Sequence, residues 1–212
     1  MYIQSMKTIL KITKNELSTL FYSPIAWLIL IIFTFQSGMA YAEAWADALR
    51  SQALGYTVYG ATERLLLGWS GAISSMQEHL YLYIPLLTMG LMSQEYNRGS
   101  IKLLYSSPVT NKQIIFGKYL SMIIYALILV AILFIYYAFT AFTIKAIDTP
   151  FVMTALLGIF LMICAYAAIG LFMSSLTSYQ VVAAVGTLAI LASLNYIGNV
   201  GQDISFVRDI TY

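Results

Sequence analysis

The stretch EYNRGSIKLLYSSPVTNKQIIFGK, residues Glu95–Lys118, decides the fold, because it is a polar, cation-bearing segment between two strongly apolar ones. It contains a carboxylate, a glycine, a short piece with apolar residues at helical spacing, and then Ser106-Ser107-Pro108. Apolar sequence resumes at Lys118. We therefore predict that the chain reaches one face of a membrane before this segment and re-enters the membrane after it.

The composition indicates a membrane protein. The 212 residues are 60% hydrophobic and 9% charged, with a mean hydropathy of +0.80, whereas a soluble domain has about 25% charged residues. So few charges cannot cover a water-facing surface, so lipid must be the solvent. The net charge of +2 is too small to indicate nucleic-acid binding. The single cysteine, Cys164, excludes an internal disulfide and a cysteine-based zinc cluster.

Residues 1–23 are predicted to form an amphipathic helix at the membrane surface. An apolar stripe at helical spacing lies beside a stripe of lysines. The apolar residues are Ile3, Met6, Leu10, Leu17 and Leu20, and the lysines are Lys7, Lys11 and Lys14. Such a helix places its apolar stripe in lipid while the amines reach phosphates. The lysines are also compatible with a positive flank that only sets orientation. The helix should end at Ser23-Pro24, because the residue before proline avoids the α conformation.

Five apolar stretches are predicted to cross the membrane, since a spanning helix needs about 20 apolar residues. They are residues 25–41, 78–94, 119–144, 151–173 and 181–198. The remaining segments are an outer loop with one or two short interfacial helices (43–77), a cytoplasmic segment (95–117) and an outer tail (199–212). Pro85 should kink the second span and free a backbone carbonyl. The predicted fold class is an all-α integral membrane protein, built as a polytopic helical bundle.

The distribution of cations predicts a cytoplasmic N-terminus. In that orientation the inner side carries seven cations and the outer side four. The inner ones are Lys7, Lys11, Lys14, Arg98, Lys102, Lys112 and Lys118, and the outer ones are Arg50, Arg64, Lys145 and Arg208. Only two acids, Glu16 and Glu95, fall on the inner side. The positive-inside rule favours this arrangement.

The sequence contains no recognisable energy source or catalytic centre. No ionisable residue falls in the middle of a predicted span, where ion-coupled transporters place them. Gly117-Lys118 is not a phosphate-binding loop, because no glycine lies five residues before it. The sole histidine, His79, lies beside Glu78 and is read as part of an interfacial polar pair. If this chain moves a substrate, the energy must come from another polypeptide.

The beginning of the polar segment is predicted to end the second span. Glu95 lies near the C-terminus of that span and faces the negative end of the helix dipole, so it needs a cation. Arg98 and Lys102 are the local candidates. Gly99 suits the left-handed residue that often ends a helix.

The rest of the segment is predicted to form a short cytoplasmic helix. Ser100 can cap a helix over residues 101–105 that has Leu103 and Leu104 on its apolar side, and Ser106-Ser107-Pro108 stops it. Thr110 or Asn111 can cap the next helix, which continues into the third span. Such an element could transmit a push from a soluble partner to two membrane helices. The same residues are also compatible with an ordinary basic loop that orients the protein.

The spacing within this segment resembles the cytoplasmic signature of ABC-2 type permeases. The matching residues are Glu95, Gly99-Ser100, Leu103-Leu104, Ser106-Ser107-Pro108-Val109, Ile114 and Gly117-Lys118. The basic N-terminal helix, Tyr22-Ser23-Pro24, the long outer loop and Ala168-Ile169-Gly170-Leu171-Phe172 are also similar to that family. The chain looks most similar to the gliding-motility-type branch of Bacteroidetes. Because family members have six spans, the sequence is expected to be truncated before the sixth.

The resemblance implies a permease subunit in the bacterial inner membrane that couples ATP hydrolysis to export. A separate cytoplasmic ABC ATPase would bind ATP and magnesium, and this chain would bind no cofactor. A second copy or a related permease would complete the dimer, with membrane lipid around it and no nucleic acid. The gliding branch often has an accessory subunit with a large outer domain. Family substrates include lipids, polysaccharides, drugs and peptides, so the substrate stays open.

The resemblance also assigns the coupling residues. They are Glu95 as a docking or gating carboxylate, then Arg98, Gly99, Lys102, Leu103, Leu104, Ser106, Ser107 and Pro108, with Lys7, Lys11 and Lys14 on the interfacial helix. Two alternatives stay open. The chain could anchor an ATPase or a motility assembly without transporting anything. It could also be an integral-membrane enzyme, for which Glu78 and His79 are the only weak candidates.

Overall fold

Helices make up nearly all of the structure, a computed structural model that describes residues 2–54, 63–68, 71–99, 109–144 and 148–203. The elements are α1 (Tyr2–Tyr22), α2 (Pro24–Ala53), a π-helical turn (Glu63–Leu67), α3 (Ala72–Thr88), α4 (Ser93–Arg98), α5 (Asn111–Thr143), α6 (Thr149–Leu176) and α7 (Gln180–Asp203). The described ranges contain no strand. The predicted all-α class is therefore confirmed.

Four of these helices are long and apolar enough to cross a membrane. They are α2, α5, α6 and the part of α7 from Gln180 to Gly198. The chain is thus a multi-pass membrane protein. The predicted second span, residues 78–94, covers the end of α3, the turn over residues 89–92 and the first residues of α4. α3 itself has 17 residues, fewer than the about 20 that a spanning helix needs.

The chain divides into two compact units, of which the first contains residues 1–80 and 110–165. Within it α2 and α5 run parallel. The Tyr125 hydroxyl donates to the Ala26 carbonyl oxygen at 2.8 Å. Further along both helices, the Tyr41 and Thr140 hydroxyls are 2.7 Å apart. Since the partners advance together along both helices, the two helices have the same direction.

The same unit contains a helical hairpin of α5 and the first part of α6. The Tyr137 hydroxyl donates to Thr149 Oγ1 at 3.2 Å. The Tyr119 hydroxyl donates to the Cys164 carbonyl oxygen at 3.1 Å. Tyr119 precedes Tyr137 in α5, whereas its partner Cys164 follows Thr149 in α6, so these helices are antiparallel.

The second unit contains residues 81–109 and 166–212. It includes the end of α3, α4, the end of α6, and α7. Gly170 of α6 lies so close to Thr88 that a Cβ at Gly170 would be 2.1 Å from the Thr88 Oγ1. Gly186 of α7 approaches Met173 in the same way, with 2.5 Å between its ideal Cβ and the Met173 Cε. Glycine is needed at position 170, because the Cβ of Thr88 itself lies within 2.6 Å of an added Cβ, whereas the flexible end of Met173 can move away from a Cβ at position 186.

Helix ends follow local signals that the sequence contains. α1 ends at Tyr22, before Ser23, which is extended (φ −78°, ψ 129°) and accepts a hydrogen bond from the Ile25 amide. Thr110 caps α5 through a reciprocal pair of hydrogen bonds with Gln113, at 3.4 and 3.0 Å. The predicted break before Pro24 is confirmed, and of the two predicted caps, Thr110 and Asn111, Thr110 is the one observed.

The end of α2 differs from the sequence prediction. α2 continues without a break to Ala53, whereas the sequence predicts that the span ends at residue 41 and that residues 43–53 belong to an outer loop with one or two short interfacial helices. The segment is rich in alanine and also contains Glu43, Leu49, Arg50 and Gln52, all strong helix formers. Charged residues mark where an apolar run stops, and a helix can continue past that point into a polar environment.

Candidate coupling site

Gly117, near the start of α5, is the point at which α1 crosses α5. A Cβ at Gly117 would lie 2.6 Å from Ile12 Cγ2 and 2.8 Å from Ile12 Cβ. The Thr13 hydroxyl is buried and lies 3.0 Å from the Gly117 carbonyl oxygen and 2.9 Å from the Ile9 carbonyl oxygen. The absence of a side chain at Gly117 lets the backbones of the two helices approach this closely.

Next to this crossing, Lys118 of α5 forms an ion pair with Glu16 of α1. The distance from Lys118 Nζ to Glu16 Oε1 is 2.7 Å, and the side chains are 2% and 15% exposed. Charge-assisted hydrogen bonds of this kind are about twice as strong as neutral ones. The sequence places Lys118 at the boundary of an apolar run, and the structure buries it between two helices.

The bend between α1 and α2 at residues 22–24, called the elbow below, also contacts α5. The Trp27 indole N–H donates to the Phe21 carbonyl oxygen at 2.8 Å, across the break. The Phe21 ring packs against Trp27 and Tyr125, with centroid distances of 5.7 and 6.0 Å. Tyr125 also bonds to Ala26, as described above. The end of α1 and the beginning of α2 are therefore attached to the same helix, α5.

The three lysines of the interfacial helix lie on the side of α1 that does not face α5. Lys7, Lys11 and Lys14 are exposed. Met6 and Leu10, of the predicted apolar stripe, are also exposed, at 63% and 55%. The buried face of α1 contains Thr13 and is a third face that the sequence pattern did not reveal. The exposed apolar and basic stripes suit a membrane surface.

A hinge in the second unit separates α3 from α4. The helix continues through Pro85, which is buried, and ends at Thr88. A turn over residues 89–92 follows. The Ser174 hydroxyl of α6 accepts hydrogen bonds from the Met92 and Ser93 amides at 3.0 and 3.1 Å, and donates to the Met89 carbonyl oxygen at 2.9 Å. One buried hydroxyl thus satisfies three backbone groups that the break leaves outside a helix.

Glu95 lies at the opposite helix end from the one predicted. The sequence predicts a carboxylate at the C-terminus of the second span, whereas the structure places half-buried Glu95 in the first turn of a separate helix, α4. A carboxylate there faces the positive end of the dipole, which stabilises it. Arg98 lies in the last turn of α4, where a cation is also favourable.

Gly99 behaves as the sequence predicts. It ends α4 in a left-handed conformation, with φ 70° and ψ 3°, a region that glycine enters without steric cost. The predicted residues Lys102, Leu103, Leu104, Ser106, Ser107 and Pro108, and the Ser100 cap, lie outside the described residues. The short helix they are predicted to form therefore stays a prediction.

Sequence reasoning missed the functional candidates Thr13, Glu16 and Ser174. For Glu16 the sequence does contain a signal, which is the position of Lys118. Lys118 is an isolated cation at the start of a long uncharged helix, and such a residue needs an acidic partner. Glu16 and Glu95 are the two acids on the same predicted side, so Glu16 was one of two choices. No comparable signal marks Ser174, because its three partners belong to a distant turn.

The described residues contain no cluster of three or more His, Cys, Asp and Glu side chains that could hold a metal ion. His79, the weak catalytic candidate, has its Nδ1 2.5 Å from the Ser75 carbonyl oxygen, one turn earlier in α3. That contact accounts for the position of the ring within its own helix.

Gly117→Ala is expected to lower the free energy of unfolding by about 1–3 kcal/mol, the usual cost of overpacking. The added methyl group would overlap Ile12, whose Cβ cannot rotate away. Gly158→Ala is the matched control, because nothing lies within 4 Å of a Cβ at that helical position. The control should be neutral or stabilising by up to about 1 kcal/mol. Thermal unfolding in detergent measures both, and equal effects would contradict the close crossing.

The chain is similar in sequence to a protein family and to a bacterial protein. The family model described as ABC-2 family transporter protein matches residues 10–204. Protein YhcI of Bacillus subtilis (strain 168), an uncharacterized protein, is 37% identical over 54 residues, which are 26% of this chain and 17% of that protein. The match therefore spans less than a fifth of the relative's length. No solved structure gives a significant match.

Proposed function

Because this chain belongs to the ABC-2 family of transporter proteins, we propose that it is the membrane permease subunit of an ATP-driven exporter. The family is a transport family whose membrane subunit is not itself catalytic. The observation that carries the proposal is the joint attachment of α1, through the Glu16–Lys118 pair and the Phe21–Trp27 elbow, to the beginnings of α2 and α5. A soluble partner that moves α1 would move two membrane helices together.

The proposed topology has five spans and a cytoplasmic N-terminus. α2 and α5 are parallel, so if both cross the membrane the chain between them must cross once in the opposite direction. α3 alone reaches about 25 Å at 1.5 Å per residue, less than the about 30 Å of the hydrocarbon core. We propose that α3, the turn at residues 89–92 and α4 together make this crossing. Glu95, Arg98 and Gly99 then lie at its cytoplasmic end.

In the proposed mechanism the ATPase contacts segment 95–110 and α1. ATP-driven closure of the ATPase moves both elements, and α1 transmits the movement to α2 and α5. Glu95 and Arg98 sit on a helix that is separated from α3 by a hinge, which suits an element that must shift with a partner. Substrate would leave through a path or lateral groove opened by these helices.

Partners and location follow from the same proposal. A cytoplasmic ABC ATPase and a second permease, either a copy or a relative, complete the transporter in the bacterial inner membrane. The family implies an ATPase partner and often a dimer. Assignment to the gliding-motility-type branch, with its accessory subunit, is a narrower proposal that rests on the resemblance of the chain to that branch.

The decisive experiment purifies the full-length natural chain, co-expressed with the ATPase encoded beside it, through a tag on the permease. The variant combines Glu95→Arg with Leu103→Ser and Leu104→Ser. We expect at least about a tenfold loss of co-purified ATPase, which corresponds to about 1.4 kcal/mol of binding free energy, because a carboxylate and an apolar face are removed together.

The matched control is Arg50→Glu, which reverses an exposed cation at the other end of α2. Full retention of the ATPase by this control would show that the loss is local to segment 95–110. An ATPase that never associates, or that binds wild type and variant equally, contradicts the docking proposal. An ATPase that binds but never responds to a substrate favours the alternative of a membrane anchor without transport.

A further inference from the structure

We infer that the Glu16–Lys118 ion pair is a lock that stays closed throughout the transport cycle, so that α1 and α5 move as one rigid body. The inference rests on the proposed function, because it specifies how a push on the N-terminal helix reaches the membrane helices. Glu16 and Lys118 are positioning residues in this account. They act by holding α1 on α5, not by binding ATP or substrate.

Burial of the pair is the first reason. Lys118 is 2% exposed and Glu16 15% exposed, and their charged atoms are 2.7 Å apart. Separating them would leave an ammonium group and a carboxylate in poorly solvated positions, which is strongly unfavourable. The other ion pair among the described side chains, Arg50–Asp47, is 79% and 64% exposed and 3.7 Å long. Water can replace the partners of that exposed pair, but not those of the buried one.

The second reason is that α1 is attached to α5 at two separate levels. The first level combines Gly117, Thr13 and the ion pair. The second lies at the end of α1, where the Phe21 ring packs against the Tyr125 ring of α5 with 6.0 Å between the ring centroids. A helix held at one level can pivot about it. A helix held at two levels, more than one turn apart, can change neither its position nor its direction relative to α5.

The lock also leaves the basic stripe accessible. Lys7, Lys11 and Lys14 are exposed while the opposite side of α1 is occupied by α5. A partner or a lipid headgroup that binds these lysines exerts its force on α1, whose opposite side is fixed to α5. The force is therefore delivered to α5, and through Tyr125 and Ala26 to α2.

Covalent replacement of the pair tests this inference. In a Cys164→Ser background, which removes the chain's sole cysteine, Glu16→Cys is combined with Lys118→Cys. The two cysteines are kept reduced until the assay, so that no disulfide forms between them. A homobifunctional thiol reagent then links them. The natural full-length chain is used in lipid nanodiscs with its ATPase, and the readout is permease-stimulated ATP hydrolysis.

We expect the reagent to link the two cysteines in the resting state and also in the vanadate-trapped state. Without the reagent, stimulation of ATP hydrolysis should fall about fivefold or more, within the usual range of allosteric coupling, while the ATPase still co-purifies. The link should restore the stimulation to near the level of the Cys164→Ser parent. Restoration by a covalent bond would support a lock that is closed during turnover.

Three results would overturn the inference. A linked protein that binds ATPase but is arrested would show that the pair opens in each cycle. Cysteines that cannot be linked in membranes would show that α1 is not fixed to α5 there. Full stimulation by the unlinked double variant would show that the lock is unnecessary.

The matched control links Asp47→Cys to Arg50→Cys, which replaces an exposed ion pair within α2. A link between residues three apart on one helix constrains nothing between helices, so hydrolysis should be unchanged by the reagent. A wild-type chain that neither binds nor stimulates the ATPase would contradict the proposed function, and with it the lock's role in coupling. The linking reaction would still report separately whether α1 and α5 are held together.

Discussion

Glu16→Leu is expected to lower the free energy of unfolding by about 3–5 kcal/mol, the usual cost of removing one member of a buried ion pair. Lys118 is 2% exposed, so its ammonium group would lose the carboxylate that balances its charge while staying out of reach of bulk water. The unfolding temperature in detergent should fall by roughly 2–4 °C per kcal/mol for a chain of this size.

The double variant Glu16→Leu/Lys118→Met separates this explanation from a simple loss of packing. Apolar side chains of similar volume can replace a buried ion pair with little or no loss of stability, so the double variant should be more stable than the single one. Asp47→Ala, which removes the exposed pair of α2, should change stability by no more than about 0.5 kcal/mol. A double variant as unstable as the single one would show that the charges are not the cause.

Ser174→Ala is expected to lower the free energy of unfolding by about 2–6 kcal/mol. Its hydroxyl accepts from the Met92 and Ser93 amides and donates to the Met89 carbonyl oxygen, and each buried donor left without a partner costs about 1–3 kcal/mol. Ser174 is fully buried, so no bulk water reaches these groups. Thermal unfolding measures the total, and hydrogen exchange at residues 92 and 93 should become faster.

Ser175→Ala is the adjacent control. The Ser175 hydroxyl donates at 2.6 Å to the Phe172 carbonyl oxygen of its own helix, and its removal should change stability by no more than about 0.5 kcal/mol. Unchanged hydrogen exchange at residues 92 and 93 in Ser174→Ala would mean that the hydroxyl does not hold the hinge. Because the hinge precedes the helix that carries Glu95 and Arg98, loosening it should also weaken the proposed docking of the ATPase.

Local features of the structure were predictable from the sequence. Ser23-Pro24 ends α1, Thr110 caps α5, and Gly99 ends α4 in the left-handed region. Each depends on the backbone preferences and hydrogen-bonding reach of residues within about one turn of helix. Such signals are contained in a few neighbouring residues, so they need no knowledge of the rest of the fold.

Two predictions are wrong because a local rule was combined with an incorrect helix boundary. The end of the apolar run predicts that the first span stops at residue 41 and is followed by an outer loop with short interfacial helices, but α2 continues without a break to Ala53. Glu95 was assigned to a helix C-terminus because the second span was treated as one continuous helix. The break over residues 89–92 begins a new helix there, which reverses the dipole that the carboxylate meets.

The sequence by itself determined that this is a helical membrane protein, which stretches are apolar, and where α1 ends, α4 ends and α5 begins. These properties depend on composition and on periodicity within single helices. Only the tertiary structure decided that Lys118 pairs with Glu16, 102 residues away, and that Ser174 holds amides 82 and 81 residues away. Such contacts depend on the crossing points of helices. Those points are set by the packing of whole helix faces and by close approaches such as Gly117 on Ile12.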